Sequence, residues 1–243
     1  MLESPAFIPD FVRDYSIYSD FFNWTMTYRR DSDVFAPYVT FRQSVKPTSV
    51  ESVLERVRAL AKPKLVAWVV SNCKTNSKRE DYVSELQKHI QVDIFGKCGT
   101  KNCPGDRINS GECKILLERD YMFYLAFENS KCKDYVTEKL AVSLDMDIVP
   151  IVMGGSNYSA LAPPGSFIDT SDYPSPKDLA NEIKRLSNAR EEYLKFFSWK
   201  AKTEVLDGFS QMGCNLCKAL HESRPTKTNP DLGAWWRDEG NCQ

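Results

Sequence analysis

Three observations predict an α/β fold, a Rossmann-like and mostly parallel sheet flanked by helices. Strand-like and helix-like segments alternate through short connections from Lys64 to Trp199. The run Leu65-Val66-Ala67-Trp68-Val69-Val70 is continuously apolar, as a strand buried on both faces must be. Polar residues gather just beyond Val70, Phe127 and Met153, and open α/β sheets bind ligands at their strand ends.

Residues 1–63 read as irregular, with Pro5, Pro9, Pro37, Pro47 and Pro63 spread among aromatics and one amphipathic helix over Val50–Leu60. Residues 64–202 carry the alternation. After the first strand, Asn76–Ile90 has helical spacing, with Tyr82, Val83, Leu86 and Ile90 as its apolar stripe. Val92–Phe95 is a short strand stopped by Gly96, and a cysteine- and glycine-rich loop follows to about Lys114. Phe123–Phe127 is a strand, Val136–Leu144 a helix, Ile148–Met153 a strand closed by two glycines, and Ser166–Asp169 another short strand. Ser175-Pro176 suits the opening of a long helix reaching Trp199. Residues 203–243 lose periodicity and read as a tail anchored by Cys214 and Cys217.

Composition excludes some functions. The 243 residues carry a net charge of -1 without a basic stripe, so nucleic acid is not an expected partner. The longest apolar run falls far short of the ~20 residues a membrane helix needs. Met1-Leu2-Glu3-Ser4-Pro5 has neither the basic start nor the apolar block of a signal peptide. By these features alone the chain reads as soluble and untargeted. The eight cysteines point elsewhere: six lie in segments read as loop or tail, which suits an oxidising compartment. Zinc is the rival reading for Cys98, Cys103, Cys113, Cys214 and Cys217. Only the last two have a knuckle's short gap, and His89 and His221 do not complete a site.

The richest block runs Phe123-Tyr124-Leu125-Ala126-Phe127-Glu128-Asn129-Ser130 and on through Asp134-Tyr135-Val136-Thr137-Glu138-Lys139-Leu140. A strand ending in polar residues leads through a short loop into a helix. Tyr135, Glu138 and Lys139, spaced i, i+3 and i+4, are expected on one helical face. Free N–H groups and the helix dipole favour an anion there. A lysine suits a phosphate, a carboxylate suits ribose hydroxyls, and a tyrosine can cover a base or sugar. The block reads as a nucleotide-diphosphate site without a glycine-rich loop. An isolated Glu-Lys pair would read as a solvated surface pair; the surrounding residues decide otherwise.

Those residues, F-E-N-S followed by D-Y-V-T-E-K-L, resemble the signature of the alpha-1,3-fucosyltransferase family. Phe22-Asn23-Trp24-Thr25-Met26-Thr27-Tyr28-Arg29-Arg30-Asp31-Ser32-Asp33, Ala67–Asn72, Val149–Val152 with Gly154, Pro164–Ile168 and Tyr193–Lys200 are similar in the same order. The resemblance implies the C-terminal, donor-binding half of a GT-B glycosyltransferase, with residues 1–63 a remnant of the acceptor domain and linker. It implies that fucose passes from GDP-fucose, with inversion and in alpha-1,3 linkage, to GlcNAc of a glycan, in the Golgi lumen, with the full-length form membrane-anchored. By position, Arg79 is similar to the diphosphate arginine, Lys139 to its lysine partner and Glu138 to the ribose carboxylate. Tyr135 and Asn129 are similar to other donor contacts, and Tyr38 to a tyrosine near the donor, with Val39 where the family usually has Gly.

Two cations at the diphosphate can stabilise the GDP leaving group without a metal. Asp31-Ser32-Asp33 looks like a D-x-D metal motif, but Arg29 and Arg30 precede it, and an ion-paired or solvated loop is expected. Asp145-Met146-Asp147 falls in the turn after a helix, where aspartates are ordinary. No metal site is expected. The base that deprotonates the acceptor has no counterpart here, and Glu128 reads as a structural or donor-site residue. His89 reads as a half-buried helix residue. The alternative to an active transferase is a chain that binds GDP-fucose with little turnover. A cytosolic nucleotide-sugar enzyme is disfavoured by the missing G-x-G-x-x-G. Cys214 and Cys217 are similar to a family C-x-x-C that bridges to the N-terminal half, so they are expected unpaired, mispaired or joined to each other. A bridge within Cys98, Cys103 and Cys113 is expected. Of the sequons at Asn23 and Asn157, Asn23 is favoured for glycosylation.

Overall fold

Buried apolar runs dictate the centre of the protein. The computed structural model describes residues 15–104 and 111–242. In chain order the elements are β1 (Met26–Thr27), β2 (Val34–Phe35), β3 (Val39–Gln43), α1 (Val50–Arg58), β4 (Lys64–Val69), α2 (Arg79–Leu86), β5 (Val92–Phe95), α3 (Gly111–Asp120), β6 (Tyr121–Phe127), α4 (Glu138–Asp145), β7 (Val149–Met153), β8 (Ile168–Asp169), α5 (Pro176–Asn188), α6 (Arg190–Lys195), β9 (Thr203–Asp207) and α7 (Gly208–His221).

Five strands form a parallel sheet in the order β5-β4-β6-β7-β8. Every residue of β6 and of β7 is buried, as strands covered on both faces require. Side chains alternate between two cores. Phe123, Leu125 and Phe127 join Val53, Leu86, Leu179 and Ile183 under α1, α2 and α5. Tyr124 and Ala126 join Leu117, Leu140 and Leu144 under α3 and α4. The chain runs outward from β4 to β5 and then returns to place β6 on the other side of β4. The crevice between the carboxyl ends of β4 and β6 is therefore the topological switch point.

Several elements differ from the sequence reading. Helix α2 starts at Arg79 rather than Asn76, because Lys78 holds a left-handed φ of 52° and Thr75 and Ser77 bond to Glu80 and to the Glu128 carbonyl. A helix, α3, begins inside the expected loop, which was read to about Lys114, with Cys113 and Leu117 one turn apart facing the core. The long C-terminal helix breaks at Ala189, whose φ of -107° and ψ of 69° leave the helical region. The expected tail is ordered: β9 pairs antiparallel with β3, from Val39↔Asp207 to Gln43↔Thr203, and α7 follows. Alternation over five residues was too short a signal to be read as that strand.

Three disulfides join Cys73–Cys98, Cys103–Cys113 and Cys132–Cys242. The expected bridge within the loop is Cys103–Cys113. Cys214 and Cys217 are free thiols exposed on α7, so they do not anchor the segment; Asn215, donating to the Phe35 carbonyl at 2.8 Å, helps hold that helix.

At the amino ends of the strands Asp147 is buried and holds Arg56 at 2.7 and 2.9 Å and Lys200 at 3.1 Å. Nearby Lys62 is buried and donates to the Glu118 and Tyr121 carbonyls. Burial pulls its pKa down to about 8, against the pull of Glu118 and Asp147. The folded chain thus binds this proton more weakly than the unfolded chain, so stability gains from Lys62 as pH rises through about 8. The stability of the wild type minus that of Lys62→Met should rise between pH 8 and 10 by up to about 1.4 kcal/mol per unit. Urea unfolding at each pH measures it; a flat or falling difference contradicts the assignment.

Candidate active site

The switch-point crevice is bridged by one side chain. Arg79, in the first turn of α2, is buried, and its Nη1 donates to the carbonyl of Phe127 at 2.6 Å while Nη2 donates to that of Asn72 at 3.2 Å. The guanidinium therefore joins the carboxyl ends of β6 and β4, with its carbon 5.6 Å from the Trp68 ring centroid. Its Nε is buried without a hydrogen-bond partner among the described residues. Burial draws its pKa below the ordinary arginine value, opposed by Glu128 and Glu80.

Beyond β6, Glu128 is almost fully buried. Its carboxylate accepts from Thr137 N at 2.8 Å, from the Thr137 hydroxyl at 2.8 and 3.0 Å, and from Lys139 Nζ at 3.0 Å. Lys139 also donates to Thr137 Oγ1 at 2.7 Å and lies 3.4 Å from Glu138. Burial disfavours the ammonium, but Glu128 and Glu138 outweigh it and hold the lysine pKa above its usual value. Asn129 points a buried Oδ1 that has no partner among the described residues.

The predicted residues thus fall into three places. Arg79, Asn129 and Lys139 gather around Glu128. Glu138 and Tyr38 line a neighbouring cavity of about 290 Å³ together with Lys114, Asp207 and Phe209. Tyr38 is held there because Gly208 N donates to its carbonyl at 3.1 Å, and a Cβ on Gly208 would lie 1.7 Å from the Pro37 carbonyl oxygen. Tyr135 does not share a helical face with Glu138 and Lys139, since α4 begins only at Glu138. Its ring is buried 5.0 Å from that of Tyr28. Sequence reasoning overlooked Thr137, which occupies the N-cap position of α4 but gives its hydroxyl to Glu128. It also overlooked Tyr158, whose buried hydroxyl lies where a Cβ on Gly154 would come within 2.3 Å.

Of the two expected states of the D-x-D segment, ion-paired and solvated, the structure has the ion-paired one. Asp31 takes Arg29 at 2.6 and 2.8 Å and Lys133 at 3.1 Å, and Asp33 accepts from Thr25 and pairs with Lys227. Asp145 pairs with Lys114 at 2.8 Å. Among the described residues no three His, Cys, Asp or Glu side chains converge as metal ligands. Partly buried His89 lies 3.8 Å from Glu85.

Residues 59–235 match the family described as Glycosyltransferase family 10 (fucosyltransferase) C-term, and residues 1–39 match Fucosyltransferase, N-terminal. The chain belongs to the glycosyltransferase family 10 fucosyltransferases. It is 41% identical over 230 residues to Glycoprotein 3-alpha-L-fucosyltransferase A of Drosophila melanogaster, covering 92% of this chain and 44% of that protein. It is 38% identical over 220 residues to human 4-galactosyl-N-acetylglucosaminide 3-alpha-L-fucosyltransferase FUT5, covering 89% of this chain and 56% of that one. The chain spans about half the length of these curated relatives. A crystal structure of alpha1,3-fucosyltransferase with GDP-fucose shares the fold, with a TM-score of 0.51 and 24% identity over 69% of this chain and 50% of that chain. The family's C-terminal, Rossmann-like GT-B domain is thus the α/β sheet described above.

In this fucosyltransferase-family chain the Glu128–Lys139 pair is interior enough for its breakage to be costly. Lys139→Met should destabilise the fold by roughly 2–4 kcal/mol, a buried pair's cost discounted for the lysine's partial exposure. Adding Glu128→Gln should recover at least half of that, because no uncompensated carboxylate remains. Guanidinium unfolding of the two variants measures both; additive losses would show that the pair is not coupled.

Proposed function

We propose that the chain is the donor-binding half of an inverting alpha-1,3-fucosyltransferase that takes fucose from GDP-fucose and delivers it to GlcNAc of a glycan. The observation that carries this reading is the cationic bridge at the switch point, where Arg79 and Lys139 flank Glu128 at the start of α4. In such sheets this is where a nucleotide diphosphate docks, against a helix N-terminus. Charge develops on the leaving phosphate as the glycosidic bond breaks, and fixed donors in a partly desolvated site stabilise it without reorganising. Arg79 and Lys139 supply those donors. Glu138 and Tyr38, lining the adjoining cavity, suit the ribose hydroxyls and the nucleoside. Asn129 Oδ1 offers an unpartnered acceptor beside them.

Glu128 does not serve as the base in this scheme. Both of its oxygens already accept, from Thr137 and from Lys139. Its role is to neutralise and aim Lys139. The base that takes the acceptor proton lies outside this cluster. Three disulfides support an oxidising lumen such as the Golgi as the place of action. No helix among the described residues is long and apolar enough to cross a membrane.

Replacing Arg79 or Lys139 by Ala should weaken GDP binding by roughly 1.5–3 kcal/mol, the scale of a charge-assisted hydrogen bond. Titration calorimetry decides it, with circular dichroism to verify folding, and unchanged affinity in both variants removes the donor-site assignment. EDTA should leave wild-type affinity within about threefold, because fixed cations face the phosphates and each aspartate of both D-x-D segments already holds a lysine or arginine. A larger loss restored by Mn²⁺ would reinstate a metal.

A further inference from the structure

The loop between β6 and α4 carries Asn129, Tyr135 and Thr137 and has little regular structure of its own. Asp134 within it adopts φ 60°, a left-handed turn that aspartate tolerates, and the loop packs against another part of the chain. That part is the C-terminal segment. Cys132, fully buried, is cross-linked to Cys242 across 110 residues. Lys133 N donates to the Gly240 carbonyl at 2.9 Å. Trp236, in the short π-helix Ala234–Asp238, is fully buried with its ring 5.6 Å from Tyr28, which in turn packs on Tyr135.

A buried charge completes the attachment. Arg29 donates to the Trp235 carbonyl, stacks 4.3 Å from the Trp235 ring centroid and lies 3.3 Å from Glu239. Its main partner, Asp31, reaches Lys133 of the loop at 3.1 Å. The segment therefore grips the loop at Cys132 and Lys133 and, through Tyr28, backs Tyr135, two residues before the Thr137 that holds Glu128. Cys242 lies beyond the stretch of chain that matches the family domain, which ends at residue 235.

We infer that the C-terminal segment Leu232–Cys242 is a positioning strap for the nucleoside-diphosphate site, with Trp236 and the Cys132–Cys242 bridge setting the donor loop and hence donor affinity. The inference rests on the donor-site reading above. Ordering the loop before the ligand arrives removes an entropic cost from binding. A strap that merely stabilised the fold would affect the whole sheet alike. One that positions the loop affects the loop's amides and the ligand's affinity together.

The test uses the full chain and GDP as the probe. Cys132→Ser/Cys242→Ser and Trp236→Ala should each raise the Kd for GDP about tenfold, and Trp236→Phe should return it to within about threefold of the wild type. Hydrogen exchange should speed up across residues 129–137 in the double cysteine variant, while β4 and β6 stay protected. Should Trp236→Ala fail to fold, the cysteine variant and Trp236→Leu give the reading. GDP binding that Arg79→Ala weakens but the strap variants leave unchanged overturns the inference alone. So does a loss of affinity that comes with equal loss of protection in β4 and β6. Absence of saturable GDP binding by the wild type overturns the donor-site reading and this inference with it.

Discussion

A buried carboxylate that needs its donors brought to it is the constraint around which the charged cluster is arranged. Glu128 stands at the end of the central strand, almost out of water, where an unpaired charge would be prohibitive. Lys139 must therefore come to it, and Thr137 must surrender its hydroxyl and its N–H. Those demands fix where α4 begins and which way its first turn faces. Arg79 reaches the same strand end from α2 and ties it to the end of β4. The result is a preformed cluster of charge at the one crevice the sheet topology opens.

The rest of the fold serves to hold that cluster still. Two helical layers bury β6 and β7 completely, so the strand ends have no freedom to shift. The β3–β9 ribbon brings Tyr38 to the cavity beside Glu138, with Val39 buried at its base. A glycine at that position would leave that part of the core unfilled. On the far side of the loop, the aromatic stack Tyr135–Tyr28–Trp236 closes the interior. Distant parts of the chain, from residue 28 to residue 242, thus converge on a loop of nine residues, 129–137.

Much of this was legible in the chain because burial writes itself into sequence. Continuous apolar runs marked β4, β6 and β7, and a heptad-like stripe marked the helix over β4, since a strand covered on both faces cannot carry charge. The cluster Glu128, Asn129, Glu138 and Lys139 was legible as a strand-end constellation, and the ion pairing of Asp31 was legible from Arg29 beside it. Weaker periods were not. The five residues of β9 carry no more alternation than a loop, and α3 hides behind cysteines and glycines that read as irregular. Pairing across 160 residues leaves no local trace.

What the sequence by itself determined is the α/β class, the strands at whose ends the charged cluster lies and the family whose motifs they carry. These depend on local pattern: which residues must avoid water, and which polar types sit next to them in the chain. Only the tertiary structure decided what each polar residue holds. It turned Tyr135 inward to Tyr28 rather than along α4, and placed Glu138 and Tyr38 on one cavity. It gave Cys132 to Cys242 and left Cys214 and Cys217 free. Partnership between side chains far apart in the chain is set by packing geometry, and that geometry exists only once the whole core has formed.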